Sequence, residues 1–456
     1  MAASILMRPR FRISPFHPSP IIRCCIQSHT PSYRHWTHRM AQQQEPVEEQ
    51  TLSFYHRKNY YPVKIGEVFN DRYQVIAKLG YGGYATVWLA RDNRTKEYKT
   101  LKVTVQSDIA LRSSTSPVLN EVKMLKHLMP IAADEEEANN PALKFIRLAD
   151  EILEIDNPAT GGHHYCIVSQ PQGNSVRTLQ EEFPGGILPR LLVKSIVHQL
   201  FFGLNWLHAC GRVVHTDILP QNILMGDYDP TGLKEVEEQE SKNPSVPIIT
   251  KDKNGAVSGI VYKSQPTRLE HTGFPVLTDF GQMRFAGDDG EFNDWWMPDL
   301  YRAPEILLQL PWSCPVDMWS VGIMILELIE GRNLFDPMDH EHRQYVYPIA
   351  MAQYIGYLGH PPQKMLDKSP VRSTYYNDDG EYIGEAPIPK ASLEDFVTTI
   401  SSEKEKELFL RFIRRMLTWD PDERATTDQI ICDPWLMLTP EEMPGGLGVF
   451  ESLLHK

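Results

Sequence analysis

Residues 213–225 read Val-Val-His-Thr-Asp-Ile-Leu-Pro-Gln-Asn-Ile-Leu-Met. Apolar residues bracket a short polar loop that holds Asp217 and, five positions on, Asn222. Apolar runs on either side of a Pro-containing turn predict strand, turn and strand. A carboxylate in such a turn is placed to take a proton from an incoming hydroxyl, and a nearby amide oxygen to hold a hard cation. A purely structural loop has the same pattern, so the surrounding chain has to decide.

The chain has 456 residues, 41% hydrophobic and 23% charged, which suits one large two-lobed domain or two to three small ones. Its formal charge of -13 is unevenly spread. Residues 1–44 carry six Arg and no Lys, Asp or Glu, so the remainder holds 40 basic against 59 acidic groups, a balance of -19. An acidic body argues against direct nucleic-acid binding and is compatible with a basic protein substrate. The six Cys (Cys24, Cys25, Cys166, Cys210, Cys314 and Cys432) form no C-x-x-C pair and no dense framework, as expected of reduced intracellular thiols. The most apolar long segment, Val316 to Ile329, is shorter than the roughly 20 residues of a span and contains Asp317 and Glu327. No membrane segment is expected.

The Arg-bearing, Ser/Thr/Pro-rich start (residues 1–44) reads as a transit peptide, as a disordered tail, or as untranslated sequence upstream of a start at Met40. An acidic linker, Glu45 to Glu49, follows. Short β-type runs then predict strands over Tyr73–Leu79, Ala85–Arg91 and Tyr98–Val105. Val118, Val122, Leu125 and Leu128 share one face of a predicted helix, Ser116–Leu128, that bears Glu121. Tyr165–Ser169 is a further strand, ending in the polar connection Gln170 to Asn174. Leu188–His208 is a long buried helix. Residues 227–274, with an acidic run, Pro244, Pro247 and Gly255, read as a partly mobile surface insertion without chemistry of its own. Beyond Asp317 the chain reads as helical, with a last helical region from Lys404 to Trp435.

The chemistry-bearing elements stand in a definite order. Leu79-Gly80-Tyr81-Gly82-Gly83-Tyr84-Ala85-Thr86-Val87 is a Gly-rich turn between two strands, where missing Cβ atoms let backbone N–H groups approach phosphate oxygens. Lys102 lies one strand later and Glu121 on the next helix. After Asp217 and Asn222 comes Asp279-Phe280-Gly281, then Ala303-Pro304-Glu305, then Asp317-Met318-Trp319-Ser320-Val321-Gly322, and finally Arg424, a partner for Glu305.

From about residue 66 to about 438 these elements resemble a eukaryotic protein kinase. The form His215-Thr216-Asp217 and the insertion before Asp279 resemble the SR-protein kinase group, particularly its divergent fungal members. The resemblance implies an α+β, two-lobed fold: a β-rich N-lobe (about 66–172), a mainly helical C-lobe (about 173–438), the insertion (about 227–274) and a C-terminal tail (439–456), with residues 1–48 preceding the domain at 49–438. It implies ATP and Mg²⁺ as cofactors and Ser in Arg/Ser-rich, splicing-type proteins as the target. Asp217 would be the base, Lys102 and Glu121 the catalytic ion pair, and Asn222 and Asp279 the metal ligands. Leu79, Gly80, Gly82, Gly83, Val87, Gln170 and Gln172 would line the nucleotide site. The chain is expected to act as a monomer in cytoplasm and nucleus, or in mitochondria if residues 1–44 are a transit peptide.

Several positions depart from the family pattern. Leu219 stands where members carry a Lys that neutralises the migrating phosphoryl group, and Pro298 where many place a Thr. A nucleotide-binding scaffold with little or no transfer is therefore the second reading. A small-molecule phosphotransferase fits less well, because Ala303-Pro304-Glu305 and Asp317–Gly322 belong to a peptide-binding lobe. Thr216 replaces the Arg that receives an activation-loop phosphate, and residues 279–300 contain no Ser, Thr or Tyr, so activity is expected without such phosphorylation. Asp288, Asp289, Glu291, Asp294, Asp336, Asp339 and Glu341 are candidates for attracting a basic peptide. Ser169, small where the family has a bulky residue, is expected to open a pocket behind the adenine.

Overall fold

The computed structural model describes residues 46–52, 55, 59–107, 116–157, 161–226, 230–251, 257–265, 273–286, 292–342 and 344–443. The Arg-rich start, Asp288, Asp289, Glu291 and the chain beyond residue 443 lie outside the described residues.

Strand β1 (Val68–Phe69) opens a six-stranded antiparallel sheet with β2 (Tyr73–Tyr81), β3 (Ala85–Asp92), β4 (Tyr98–Thr104), β5 (Glu151–Asn157) and β6 (Gly162–Ser169), in the order β1-β2-β3-β4-β6-β5. The sequence reading anticipated β2, β3, β4 and β6. It missed β1 and β5, both edge strands. Glu151, Glu154 and Asp156 on β5 obscure the strand signal, and charge of this kind protects a sheet edge from stray pairing. Helix α1 (Pro117–Ala132) starts at the cap Ser116, whose hydroxyl accepts from the backbone of Leu119; it buries Val118, Glu121 and Val122, and its Leu125 and Leu128 join the large apolar cluster of the C-lobe.

The C-lobe forms around one large apolar cluster. Helix α2 (Arg190–Ala209) contributes Val193, Ile196, Val197, Leu200, Leu204 and Leu207 and delivers the chain to β7 (Val213–Val214) and β8 (Ile223–Met225).

The described part of the insertion is not a loose surface loop. Helix α3 (Pro230–Lys242) lays Leu233 and Val236 on the N-lobe cluster of Ile76, Ala77, Leu89 and Tyr98. Its Glu237 accepts hydrogen bonds from Arg91 and from the Tyr98 hydroxyl, the latter at 2.7 Å. A hairpin, β9 (Ile248–Lys251) and β10 (Val257–Val261), then leads to Tyr262, buried edge-on against Trp88 at 5.9 Å. The acidic run that suggested a loop is the polar side of an amphipathic helix. The acidic linker is also structured: Glu48–Thr51 is a 3-10 turn whose Glu48 and Glu49 pair with Lys78, only 1% exposed, while the Lys78 Nζ donates to the Tyr262 carbonyl at 3.0 Å. A buried ammonium needs such partners, and linker and insertion together supply them.

Strand β11 (Pro275–Leu277) pairs with β8, and β12 (Arg284–Phe285) with β7. Helix α4 (Pro315–Glu330) is buried from Val316 to Glu330, so its apolar run is the centre of the C-lobe. Among the described residues no helix is long and apolar enough to cross a membrane. Helices α5 (Tyr347–Leu358) and α6 (Glu403–Arg414) complete the lobe. The single helical region expected from Lys404 to Trp435 is broken after α6, because Asp420-Pro421 starts a new 3-10 turn with the Asp420 carboxylate accepting from Asp422 N. The expected Arg424–Glu305 pair is present, bidentate at 2.8 and 2.9 Å, with both side chains wholly buried.

Candidate active site

Asp217 and Asn222 occupy the loop between β7 and β8, and strand pairing fixes what faces them. The register Pro275↔Met225 to Leu277↔Ile223 carries the chain past Asn222, whose carbonyl accepts from Thr278 N at 2.8 Å, so Asp279 emerges beside it. Asn222 Nδ2 donates to Asp217 Oδ2 at 2.8 Å and to the Asp217 carbonyl at 2.9 Å. Its Oδ1 is thereby left for another partner. Buried Asp317, in the first turn of α4, accepts from the backbone N–H groups of His215 and Thr216, both at 2.7 Å. Those bonds hold Thr216 at φ 68°, a left-handed conformation unusual for a β-branched residue, and Asp279 is likewise at φ 66°. Backbone strain at Thr216 is thus sustained by the C-lobe core, through Asp317.

Above the loop, Lys102 Nζ reaches Glu121 Oε1 and Oε2 at 2.7 and 2.8 Å and Asp279 Oδ1 at 3.6 Å. Burial acts to lower the Lys102 pKa, but the Asp279 and Glu121 carboxylates outweigh it and hold the ammonium above its ordinary value. Lys102 in turn keeps Asp279 below the usual carboxylate range. Asp217 is pushed the other way, chiefly by burial, with Asp279 and Asp317 adding to the shift and His215 opposing it. Two carboxylates in one cleft are therefore set to opposite tasks: Asp279 stays anionic, and Asp217 is the better proton acceptor.

These groups enclose a cleft of about 690 Å³. Leu79, Gly80, Gly82, Gly83, Val87, Lys102, Glu121, Gln172, Asp217, Asn222 and Asp279 all line it. A Cβ on Gly80 or Gly82 would meet nothing within 4 Å, so the protein's own packing does not demand glycine there. The open backbone leaves room for a ligand as bulky as a nucleotide phosphate tail. Asn222 and Asp279 present hard oxygen donors suited to a divalent cation such as Mg²⁺. Gln170 does not line the cleft: its amide donates to Asp150 at 3.1 Å. Ser169, paired with Thr100 across β4 and β6, is buried and also absent from the cleft wall, so the expected open pocket behind the adenine does not form part of it.

The second side of Asp217 belongs to the segment after Asp279. Thr216 Oγ1 donates to the Gln282 carbonyl at 2.9 Å, and Trp296 Nε1 donates to Thr216 Oγ1 at 3.1 Å and to Gln282 O at 3.3 Å. The Arg284 guanidinium stacks on the Trp296 ring at 3.6 Å and pairs with Asp294 at 3.5 Å. Arg302 ties the Trp296 and Met297 carbonyls at 3.0 and 2.9 Å and stacks on Trp295. Trp295, Trp296, Met297 and Pro298 wall a smaller cavity of about 320 Å³ that opens on Asp217. Leu219 packs on the C-lobe core, while neutral Gln221 lines the cleft. Of the acidic candidates for a basic peptide, Asp336 and Asp339 are paired with His340 and His342, and Asp294 with Arg284.

Sequence reasoning passed over Gln282, Trp296 and Arg147, which also lines the cleft. Trp296 lies in a run marked for its acidic residues and its lack of phosphorylatable hydroxyls rather than for its indoles, and Arg147 is a lone cation between Ile146 and Leu148.

The model of the protein kinase domain matches residues 73–234 and 260–436, leaving out much of the insertion. A serine/threonine protein kinase of Aspergillus fumigatus is 34% identical over 401 residues, covering 86% of this chain and 91% of the relative. The serine/threonine-protein kinase SRPK of Physarum polycephalum is 26% identical over 413 residues, 86% of this chain and 92% of the relative. Protein kinase dsk1 of Schizosaccharomyces pombe is 24% identical over 475 residues, 85% of each chain. The chain belongs to the protein kinase family, as a serine/threonine kinase of the SR-protein-kinase-like kind.

Proposed function

We propose that this kinase transfers the γ-phosphoryl group of Mg-ATP to serine in basic, Arg/Ser-rich proteins, and that it does so without an activation-segment phosphate. The observation that carries the first part is the convergence of Asp217, Asn222 and Asp279 under the Lys102–Glu121 pair and an open Gly-rich turn. ATP supplies the transferable group, and the divalent ion spreads the developing charge. Asp217 takes the proton of the serine hydroxyl as its oxygen bonds to phosphorus and the bond to ADP breaks. Asn222 Nδ2 holds the Asp217 carboxylate in place, while its Oδ1, with Asp279, would hold the cation. Lys102, fixed by Glu121, faces the inner phosphates. Leu219 gives no cation to the migrating group, so transfer is slower than Lys at that position would allow.

The uncharged Thr216–Gln282–Trp296 link supports the second part: the segment is held where a phosphate on an Arg would otherwise hold it. Substrate preference is supported by the acidic balance of the chain and by the SRPK relative. Transfer from labelled ATP to an Arg/Ser peptide tests the reading, with Asp217→Ala as control. Transfer abolished by that substitution is expected. Tight Mg-ATP binding without transfer would instead make the chain a nucleotide-binding scaffold.

A further inference from the structure

Arg147 is the cation that the family reading leaves without a role. Its backbone N–H donates to the Leu277 carbonyl at 2.9 Å, two residues before Asp279, so the β11 strand sets its depth in the molecule. Arg147 lines the cleft with Lys102, Glu121 and Asp279, and it also borders a smaller cavity next to Gln170 and Gln172. Among the described residues its guanidinium makes no hydrogen bond and no ion pair within 4 Å. Burial lowers its pKa, and the charges of Glu121 and Asp279 act on it from a distance.

Arg147 is partly exposed and its unpaired guanidinium faces the open cleft, where an anion is the natural partner for a free fork of N–H donors. Charge in the cleft points the same way. Asp217, Asp279 and Glu121 bring three carboxylates against the one ammonium of Lys102, which is already engaged with Glu121 and Asp279. An incoming triphosphate adds more negative charge to this wall. The aromatic cavity that opens on the other side of Asp217 does not include Arg147, which separates it from the path of a peptide.

We propose that Arg147 is a further nucleotide-binding residue, whose guanidinium takes the phosphate chain of ATP from the inner wall beside Lys102. A planar guanidinium matches phosphate oxygens in a way an ammonium does not, so the charge and the fork both count. The proposal rests on the cleft being the nucleotide site, as set out under Proposed function.

Titration calorimetry on the full chain with Mg-ATP, Mg-ADP and adenosine tests it, using Arg147→Met, Arg147→Lys and Lys102→Met. Arg147→Met is expected to weaken ATP and ADP by roughly 10- to 100-fold, the size of a lost charge-assisted contact, and to leave adenosine within about twofold. Arg147→Lys recovers part of the loss, and melting of the ligand-free protein does not fall. Unchanged ATP affinity in Arg147→Met overturns the proposal. So does an equal loss for ATP and adenosine with lowered melting, which would make Arg147 a structural counter-charge. Should Lys102→Met leave ATP binding intact, the cleft itself is not the nucleotide site and the broader reading falls with it.

Discussion

Asp217 stands between two corners built by opposite means. On the nucleotide side Lys102, Glu121 and Asp279 form a charged cluster within 3.6 Å, with Arg147 on the same wall. On the segment side a hydroxyl, a carbonyl and an indole N–H meet at Thr216, Gln282 and Trp296. The charged corner is organised around something it must receive, since phosphate and a divalent ion alter its balance. The neutral link is complete as it stands, and the cations around it, Arg284 and Arg302, are already engaged with Asp294 and with the Trp296 and Met297 carbonyls. On the proposed reading, chemistry and its control are separated across one residue.

Substitutions that break the comparison differ in size. Asp217→Ala strikes the group both corners serve, and a kcat loss on the order of 10² to 10⁴ is expected with Mg-ATP affinity nearly unchanged. Steady-state kinetics beside calorimetry separates the two quantities. Trp296→Leu removes both indole hydrogen bonds and the stacking surface of Arg284. About tenfold in kcat is expected to go, as for one or two neutral bonds, again without loss of nucleotide affinity. A matching loss of ATP binding would show the corners to be coupled, against the account.

The pH profile sharpens the contrast more gently. Burial raises the Asp217 pKa, so the carboxyl stays protonated to a higher pH than an ordinary aspartate and cannot accept a proton there. The acid limb of kcat should therefore have its midpoint above the usual value of about 3.9. Asp279 shifts downward beside Lys102, so metal binding should persist through that limb. A profile flat to pH of about 4 would contradict the assignment.

How legible each corner was in the sequence follows from the same contrast. Asp217, Asn222, Lys102, Glu121 and Asp279 are residue types the proposed chemistry calls for, so their order along the chain pointed to them, and strand pairing brings them into one cleft. Strands β2, β3, β4 and β6 were legible for a similar reason, in their apolar runs. Thr216 and Trp296 are 80 residues apart and neither has a chemical signature; only the fold joins them. Arg147 was hidden because a single Arg at a strand entrance normally points to water. The insertion misled because Glu235, Glu237, Glu238 and Glu240 hide the Leu233–Val236 stripe that docks on the N-lobe. Lys78 became intelligible once Glu49 and Tyr262, distant in sequence, stood around it.

The most direct test of the separation is the rate of phosphate transfer from labelled ATP to an Arg/Ser peptide before and after exhaustive phosphatase treatment of the purified kinase, with the phosphatase removed. The account predicts the same rate in both, abolished in each by Asp217→Ala. A large fall after phosphatase treatment, restored when the protein is rephosphorylated, would contradict it.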